Sequence, residues 1–285
     1  MFVITGATGQ LGRLVIDQLL QHVPASRIIA AVRSPEKAAD LAAKGVQVRH
    51  ADYSQPATLD TAFNGAKKIL LISSNELGQR ATQHKAVIDA AKRAGVELLA
   101  YTSVLHADTS ALELAEEHRQ TEDAIGNSGV PSAILRNGWY TENYTAAITN
   151  DIAHGAHFGC AGEGRISSAP RADYAAAAVA VLTSSAPQAG RVYELAGDEA
   201  YTLSEFAAQI ALQSGKPVVY TNLPEADYKA ALSQAGLPEV VAQLLANSDS
   251  AASTGALFDD SRALSKLIGR PTTPLAVTIA ESLVE

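Results

Sequence analysis

A chain of 285 residues is long enough for a sizeable core and two lobes, and a formal charge of −8 without a basic cluster argues against nucleic acid as a partner. The single cysteine, Cys160, excludes a disulfide framework within the chain, fits a reducing compartment, and reads as a packed small residue rather than a nucleophile. The longest apolar stretch, residues 175–182, is far too short to span a bilayer, and an apolar strand from residue 2 leaves no room for a signal peptide, so a cytoplasmic protein without membrane insertion is expected.

The chain opens MFVITGATGQLG. Phe2, Val3, Ile4 and Thr5 read as a buried parallel strand, and Leu11, Leu14, Val15 and Leu19 share one face of a following helix. Gly6, Gly9 and Gly12 stand where strand turns into helix. The first permits the tight turn, the second lets backbone approach a pyrophosphate, and the third lets the helix lie close on the strand. The helix N-terminus offers N–H groups to the phosphates. Strand, glycines and helix in this order predict dinucleotide binding rather than a mere glycine-rich turn.

Strands then alternate with helices. Residues 27–32 (RIIAAV) read as strand two with a helix over 35–44, and 46–50 as strand three with a short helix over 56–63. Residues 67–73 (KKILLIS) read as strand four, with a long amphipathic helix over 79–94 closed by Gly95. Residues 97–103 (ELLAYTS) read as strand five, 112–127 as a helix, and 132–136 (SAILR) as strand six. The series predicts an α/β fold, a Rossmann-type doubly wound parallel sheet over residues 1–136, with ligands at the carboxyl ends of its strands.

After Arg136 the rhythm loosens. A helical piece covers 139–153, glycine-rich turns surround Gly155, Gly159, Gly162 and Gly164, a helix covers 171–182 and a strand 192–195. Thr202 and Glu205 form a capping-box pattern for a helix over 203–214, and a strand covers 218–220. Residues 246–255, rich in Ser, Asn and Asp, read as a mobile loop. Residues 137–285 are expected to form a smaller, mainly substrate-side α/β lobe, with some segments returning to the first domain.

The end of strand two selects the cofactor. It reads Ala31-Val32-Arg33-Ser34, with no acid before Glu36 to take a ribose 2′-hydroxyl. A guanidinium matches a 2′-phosphate and can stack on adenine, so Arg33 predicts NADPH over NADH. Lys37 either adds charge there or is an exposed helix residue. Ser73, Ser74 and Asn75 end strand four, where small polar residues can approach the cofactor.

Ser103, ending strand five, stands where many short-chain reductases place a catalytic serine. The Tyr-x-x-x-Lys pair that should follow is absent: none of the nine tyrosines has lysine four residues on. His118 lies in the helix where that pair belongs, and a surface histidine in a charged helix is the expected reading. The stretch Asn137-Gly138-Trp139-Tyr140-Thr141-Glu142-Asn143-Tyr144 opens at the end of strand six. Asn137 and the backbone of Gly138, Trp139 and Tyr140 are candidates to hold a nicotinamide carboxamide, and the aromatic rings either wall a flat substrate or seal the join between lobes. No Gly-x-Ser-x-Gly motif, phosphate loop or metal-spaced His/Cys cluster occurs.

GATGQLG, AVRSPEKA at 31–38, LLISS at 70–74, AYTSVLHADTS at 100–110, LRNGWYTENY at 135–144 and LSKLIGRPTTPL near the end resemble the NmrA-like atypical short-chain dehydrogenase/reductase family, in its bacterial NADPH:quinone reductase branch. The resemblance runs over nearly the whole chain. It implies an NADPH site at Gly6, Ala7, Thr8, Gly9, Gln10, Leu11, Arg33, Ser73, Ser74, Asn75, Asn137, Gly138, Trp139 and Tyr140, and quinone reduction by hydride transfer. Related members reduce triphenylmethane dyes, and others bind NADP without turnover as redox sensors. The family lacks the Tyr-Lys pair and supplies no certain catalytic acid. Tyr140, Asn143 and Tyr144 are the candidates to position a flat quinone by hydrogen bonds or stacking. A homodimer is compatible with this reading.

Overall fold

The computed structural model describes residues 1–284. In chain order the strands are β1 (Phe2–Thr5), β2 (Ile28–Val32), β3 (Gln47–His50), β4 (Lys68–Leu71), β5 (Leu98–Val104), β6 (Ser132–Asn137), β7 (Ala156–Gly159), β8 (Arg191–Leu195) and β9 (Val219–Asn222). They form a seven-stranded sheet in the order β3-β2-β1-β4-β5-β6-β8 and a separate β7-β9 pair.

One compact unit comprises Met1–Ala107, Glu116–Asn137 and Arg171–Tyr193. β1 to β6 run parallel, with Val3 opposite Ile29 and Ile69, and Tyr101 opposite Ile134. β1, β2 and β5 are buried along their whole length. β-Branched and aliphatic runs tolerate this because a parallel sheet is covered on both faces. Val3, Ile29, Leu59, Phe63, Ile69, Val87 and Leu99 belong to one continuous apolar cluster. Helix Gln10–Leu19 buries Leu11, Val15, Ile16 and Leu19; Ile16 takes the core position that the periodicity assigned to Leu14. Helix Arg171–Thr183 is buried on nearly every side and packs against helix Gln10–Leu19, its alanines permitting close approach. Helix Arg80–Ala94 stops at Gly95, whose φ of +64° is the left-handed region that glycine tolerates best.

The second unit comprises Asp108–Ala115, Gly138–Pro170 and the chain from Glu194 onward. β7 pairs parallel with β9, Ala156 opposite Val219. The glycines around it had suggested only turns; Gly155 instead ends the preceding helix at φ +67° and lets the strand begin. The helix expected over 139–153 breaks into Glu142–Thr145 and Ile148–His154. Its first residues are held elsewhere: Trp139 and Thr141 exchange backbone hydrogen bonds with Ala169. Thr202 and Glu205 complete the capping box, at 3.2 and 2.8 Å. The expected mobile loop at 246–255 is mostly the last half of helix Glu239–Ala252. Two of its polar residues are inside: Ser248 is fully buried, and the buried Asp249 receives a hydrogen bond from Tyr144.

Candidate active site

At the carboxyl ends of β1 to β4 lies a cleft of about 330 Å³ within the first unit. Gly6, Thr8, Gly9, Arg33, Ser73, Ser74 and Asn75 all line it. Asp52, Tyr53, Glu76 and Gln83 also line it, and the sequence reading did not single them out. Asp52 and Tyr53 follow β3 directly, so the rule placing ligands at strand ends was the available signal. Glu76 and Gln83 carry no local signal.

The three glycines have three geometries. Gly6 turns at φ +58° and its carbonyl accepts the Gly9 N–H at 2.9 Å. A Cβ on Gly12 would stand 2.5 Å from the Gly6 carbonyl oxygen and 2.7 Å from Ala7 Cα, so the helix seats on the turn only without one. A Cβ on Gly9 would meet only the Gly6 oxygen within 4 Å, at 3.2 Å, and Gly9 lines the cleft. Gly9 is the N-cap of helix Gln10–Leu19, whose first turn carries no acidic residue, so the end keeps its positive character. Ala7 and Leu11 turn their side chains into the core and Gln10 is exposed; none of these three side chains lines the cleft.

The floor is a polar lock. Tyr53 Oη donates to Thr5 Oγ1 at 2.5 Å and lies 3.0 Å from the Ile72 carbonyl oxygen, and burial pushes its pKa up. Thr5 Oγ1 in turn accepts the Ile72 N–H and donates to the Leu70 carbonyl, both at 3.1 Å. The loop after β4 is fastened from behind. Ser73 N–H donates to the buried Thr102 hydroxyl at 2.9 Å, Ser74 N–H to His84 Nε2 at 2.9 Å, and Arg80 Nε to the Ser74 carbonyl at 2.5 Å. Asp52 is occupied in its own turn, accepting from Ser54 N–H at 2.9 Å and Gln55 Nε2 at 3.0 Å. Arg33 is the one cation among the described lining residues, is mostly exposed, and pairs with Glu76. Lys37 is exposed and does not line the cleft.

The residues fit a dinucleotide. A helix N-terminus behind a Cβ-free Gly9 suits a pyrophosphate, and a guanidinium at the end of β2 suits a 2′-phosphate. The buried Gln83 Oε1 on the cleft wall has no hydrogen-bond partner among the described residues. Asn137 ends β6, at the same sheet edge as the ends of β1, β2 and β4, and is buried.

Other candidates have different surroundings from those expected. His118 is buried, not a surface residue; Nδ1 lies 2.7 Å from the Tyr101 hydroxyl, and burial followed by the Arg80 charge holds its pKa well below the ordinary value. The sequence shows Glu116, Glu117 and Arg119 around it, but His118 lies on the helix face turned toward β5. Ser103 gives its hydroxyl to Glu122 at 2.5 Å, and Glu122 is held at 3.0 and 2.7 Å by the buried Arg136 guanidinium. That serine is tied into an ion pair rather than poised as a proton donor.

In the second unit, Tyr140 forms a bridge with Ala169, and Tyr140 and Asn143 are half-buried. Gly138 N–H donates to the Leu195 carbonyl at 2.7 Å, and Trp139 is buried. Tyr144 is buried too, and its hydroxyl donates to Asp249 Oδ1 at 2.9 Å. Asp249 Oδ2 accepts the Cys160 N–H at 3.2 Å. Cys160 is packed as expected, with burial pushing its thiol up to about 12. Among the described residues no three His, Cys, Asp or Glu side chains group to hold a metal ion, and no helix is long and apolar enough to cross a membrane.

Comparison with known proteins agrees with a nucleotide-binding fold. The profile of a family described as NAD(P)H-binding matches residues 6–185. Quinone oxidoreductase 2 of Escherichia coli is 58% identical over 280 residues, covering 98% of each chain. The crystal structure of the NADPH-dependent quinone oxidoreductase QOR2 from E. coli complexed with NADPH superposes with a TM-score of 0.97, 56% identity and complete coverage of both chains. The triphenylmethane reductase of Citrobacter sp. complexed with NADP(H) superposes with a TM-score of 0.95 and 40% identity, over 99% of this chain and 100% of that one. The chain belongs to the NAD(P)H-binding, NmrA-like family of oxidoreductases that includes quinone oxidoreductase 2.

Proposed function

We propose that this protein is an NADPH-dependent reductase that passes hydride to quinones. The observation that carries the reading is full-length identity of 58% to quinone oxidoreductase 2, joined to a cleft whose one lining cation, Arg33, ends β2. The backbone at Thr8 and Gly9 holds the pyrophosphate, Arg33 the 2′-phosphate, and Ser73, Ser74 and Asn75 the adjoining ribose edge. Asn137 and the backbone of Gly138, Trp139 and Tyr140 are proposed to hold the carboxamide end. Tyr140 and Asn143 are proposed to position the acceptor.

NADPH, when bound, supplies the hydride. The chain supplies placement. A simple ketone would become a strongly basic alkoxide and need a placed acid, and no Tyr-x-x-x-Lys pair provides one. A quinone becomes a hydroquinone monoanion, whose charge spreads over the ring, and water can protonate it. Rate then comes mainly from holding two flat rings together. A reducing cytoplasmic setting suits a chain with one buried thiol.

Loss of NADPH absorbance on adding small quinones tests the reading; tight NADPH binding with no turnover on any quinone would turn it toward a sensor. Triphenylmethane dyes belong in the same panel, because the 40%-identical relative is named for reducing them.

A further inference from the structure

We propose that Glu76 sets the nucleotide preference of the cleft by competing with the 2′-phosphate for Arg33. The inference rests on the reading above that Arg33 receives that phosphate. Glu76 lies in the loop after β4, and one of its carboxylate oxygens pairs with Arg33 at the end of β2. Its other oxygen accepts from Gln83 Nε2 at 2.7 Å, and its backbone N–H donates to Ser74 Oγ at 3.1 Å. The carboxylate is therefore held in place rather than swinging freely.

Gln83 makes the arrangement more than a chance surface contact. It is buried at 6% exposure, and its amide nitrogen serves Glu76 and, at 3.3 Å, Ser54 Oγ, while its Oε1 stays unsatisfied. An unmet buried acceptor is unfavourable. The fold accepts it in an orientation that presents a donor to Glu76.

Charge then decides the consequence. With Asp52 turned into its own loop, Arg33 and Glu76 are the two charges left to meet an arriving adenosine ribose. A carboxylate suits a ribose 2′-hydroxyl, which can donate to it, whereas a 2′-phosphate must take the guanidinium from Glu76. An exposed ion pair is weak enough to be exchanged for a phosphate dianion. Glu76 thus lowers NADPH affinity while leaving NADH an acceptor, and narrows the selectivity that Arg33 alone would give.

The test is calorimetric titration of NADPH and NADH into wild type, Glu76→Gln, Arg33→Ala and the double variant, with thermal melting as a check of folding. Glu76→Gln keeps an acceptor oxygen and the Gln83 contact surface. It should tighten NADPH roughly three- to ten-fold and leave NADH nearly unchanged. In the Arg33→Ala background that gain should vanish, because no cation remains to be released. Unchanged NADPH affinity in Glu76→Gln, an equal change for both nucleotides, or a gain that persists without Arg33 would each overturn the competition. Equal losses of NADPH and NADH in Arg33→Ala would instead overturn the placement of the 2′-phosphate itself.

Discussion

His84 can accept the Ser74 N–H at Nε2 only as the neutral imidazole protonated on Nδ1, and Nδ1 faces the Thr121 hydroxyl at 3.0 Å. Thr121 passes its own proton to the Glu117 carbonyl at 2.8 Å, so the chain of donors has one consistent direction. Burial, and then the Arg80 charge, hold the His84 pKa at about 3, against 6.5 for the free residue. A buried neutral histidine thus anchors one backbone end of the cleft loop.

This anchor predicts acid lability. The folded pKa lies below the unfolded one, so between pH about 3 and 6.5 the unfolded chain binds the extra proton. Stability is fully present above pH 6.5 and falls as pH drops through that window. His118, also held low, acts in the same direction. Urea denaturation from pH 7 to 4 should show a declining midpoint, with a shallower slope in His84→Gln. Identical slopes would mean that His84 is not the group responsible.

Arg33→Ala should weaken NADPH roughly ten-fold and up to a hundred-fold, because a charged hydrogen-bonding contact is worth about 1.5–3 kcal/mol. The lower end is expected, since Glu76 already occupies the guanidinium. NADH should be nearly unaffected. Equilibrium titration with both nucleotides decides the matter.

Gly9 and Gly12 should fail differently. Gly9→Val adds bulk toward the cleft at a backbone φ of −72° that any residue adopts, so nucleotide binding should disappear while the melting temperature holds. Gly12→Ala forces its Cβ against backbone, so it should lose about 1–3 kcal/mol of stability. Melting curves and NADPH titrations on the two variants separate the effects; a folded Gly9→Val that binds NADPH normally would move the phosphate site elsewhere.

Tyr144→Phe is expected to read as a stability defect. It removes the donor to a buried carboxylate, at a cost of about 1–3 kcal/mol. Asp249 already has its pKa raised by burial, so the loss should be smaller at mildly acidic pH, where its protonation is easier. Denaturation at pH 7 and 5 measures both. Equal loss at the two values would argue that Asp249 stays charged throughout.

Tyr140→Ala and Asn143→Ala should raise KM for quinones and lower kcat by much less than the ~100-fold typical of losing a general acid. The wild-type rate should change little between neutrality and mild alkalinity. Steady-state kinetics on both variants would reveal a dedicated proton donor if kcat collapsed with binding intact.

The sequence by itself determined what depends on neighbours along the chain. Apolar runs, helical periodicity and glycines at a strand-to-helix turn are local, so β1 to β6, the glycine turn after β1, Arg33 at the end of β2 and the Thr202–Glu205 cap were legible. Tertiary structure decided which polar groups are buried and what they touch. His118 sits in a charged helix yet faces Tyr101, and the polar residues of 246–252 read as a loop until Tyr144, 105 positions away, turned Asp249 inward. Tyr53, Glu76 and Gln83 enter the cleft because parallel crossovers bring the ends of β3 and β4 to one sheet edge. Such pairings span tens of residues. Their free energy comes from desolvation and geometry that exist only once the sheet has formed, and no local pattern encodes them.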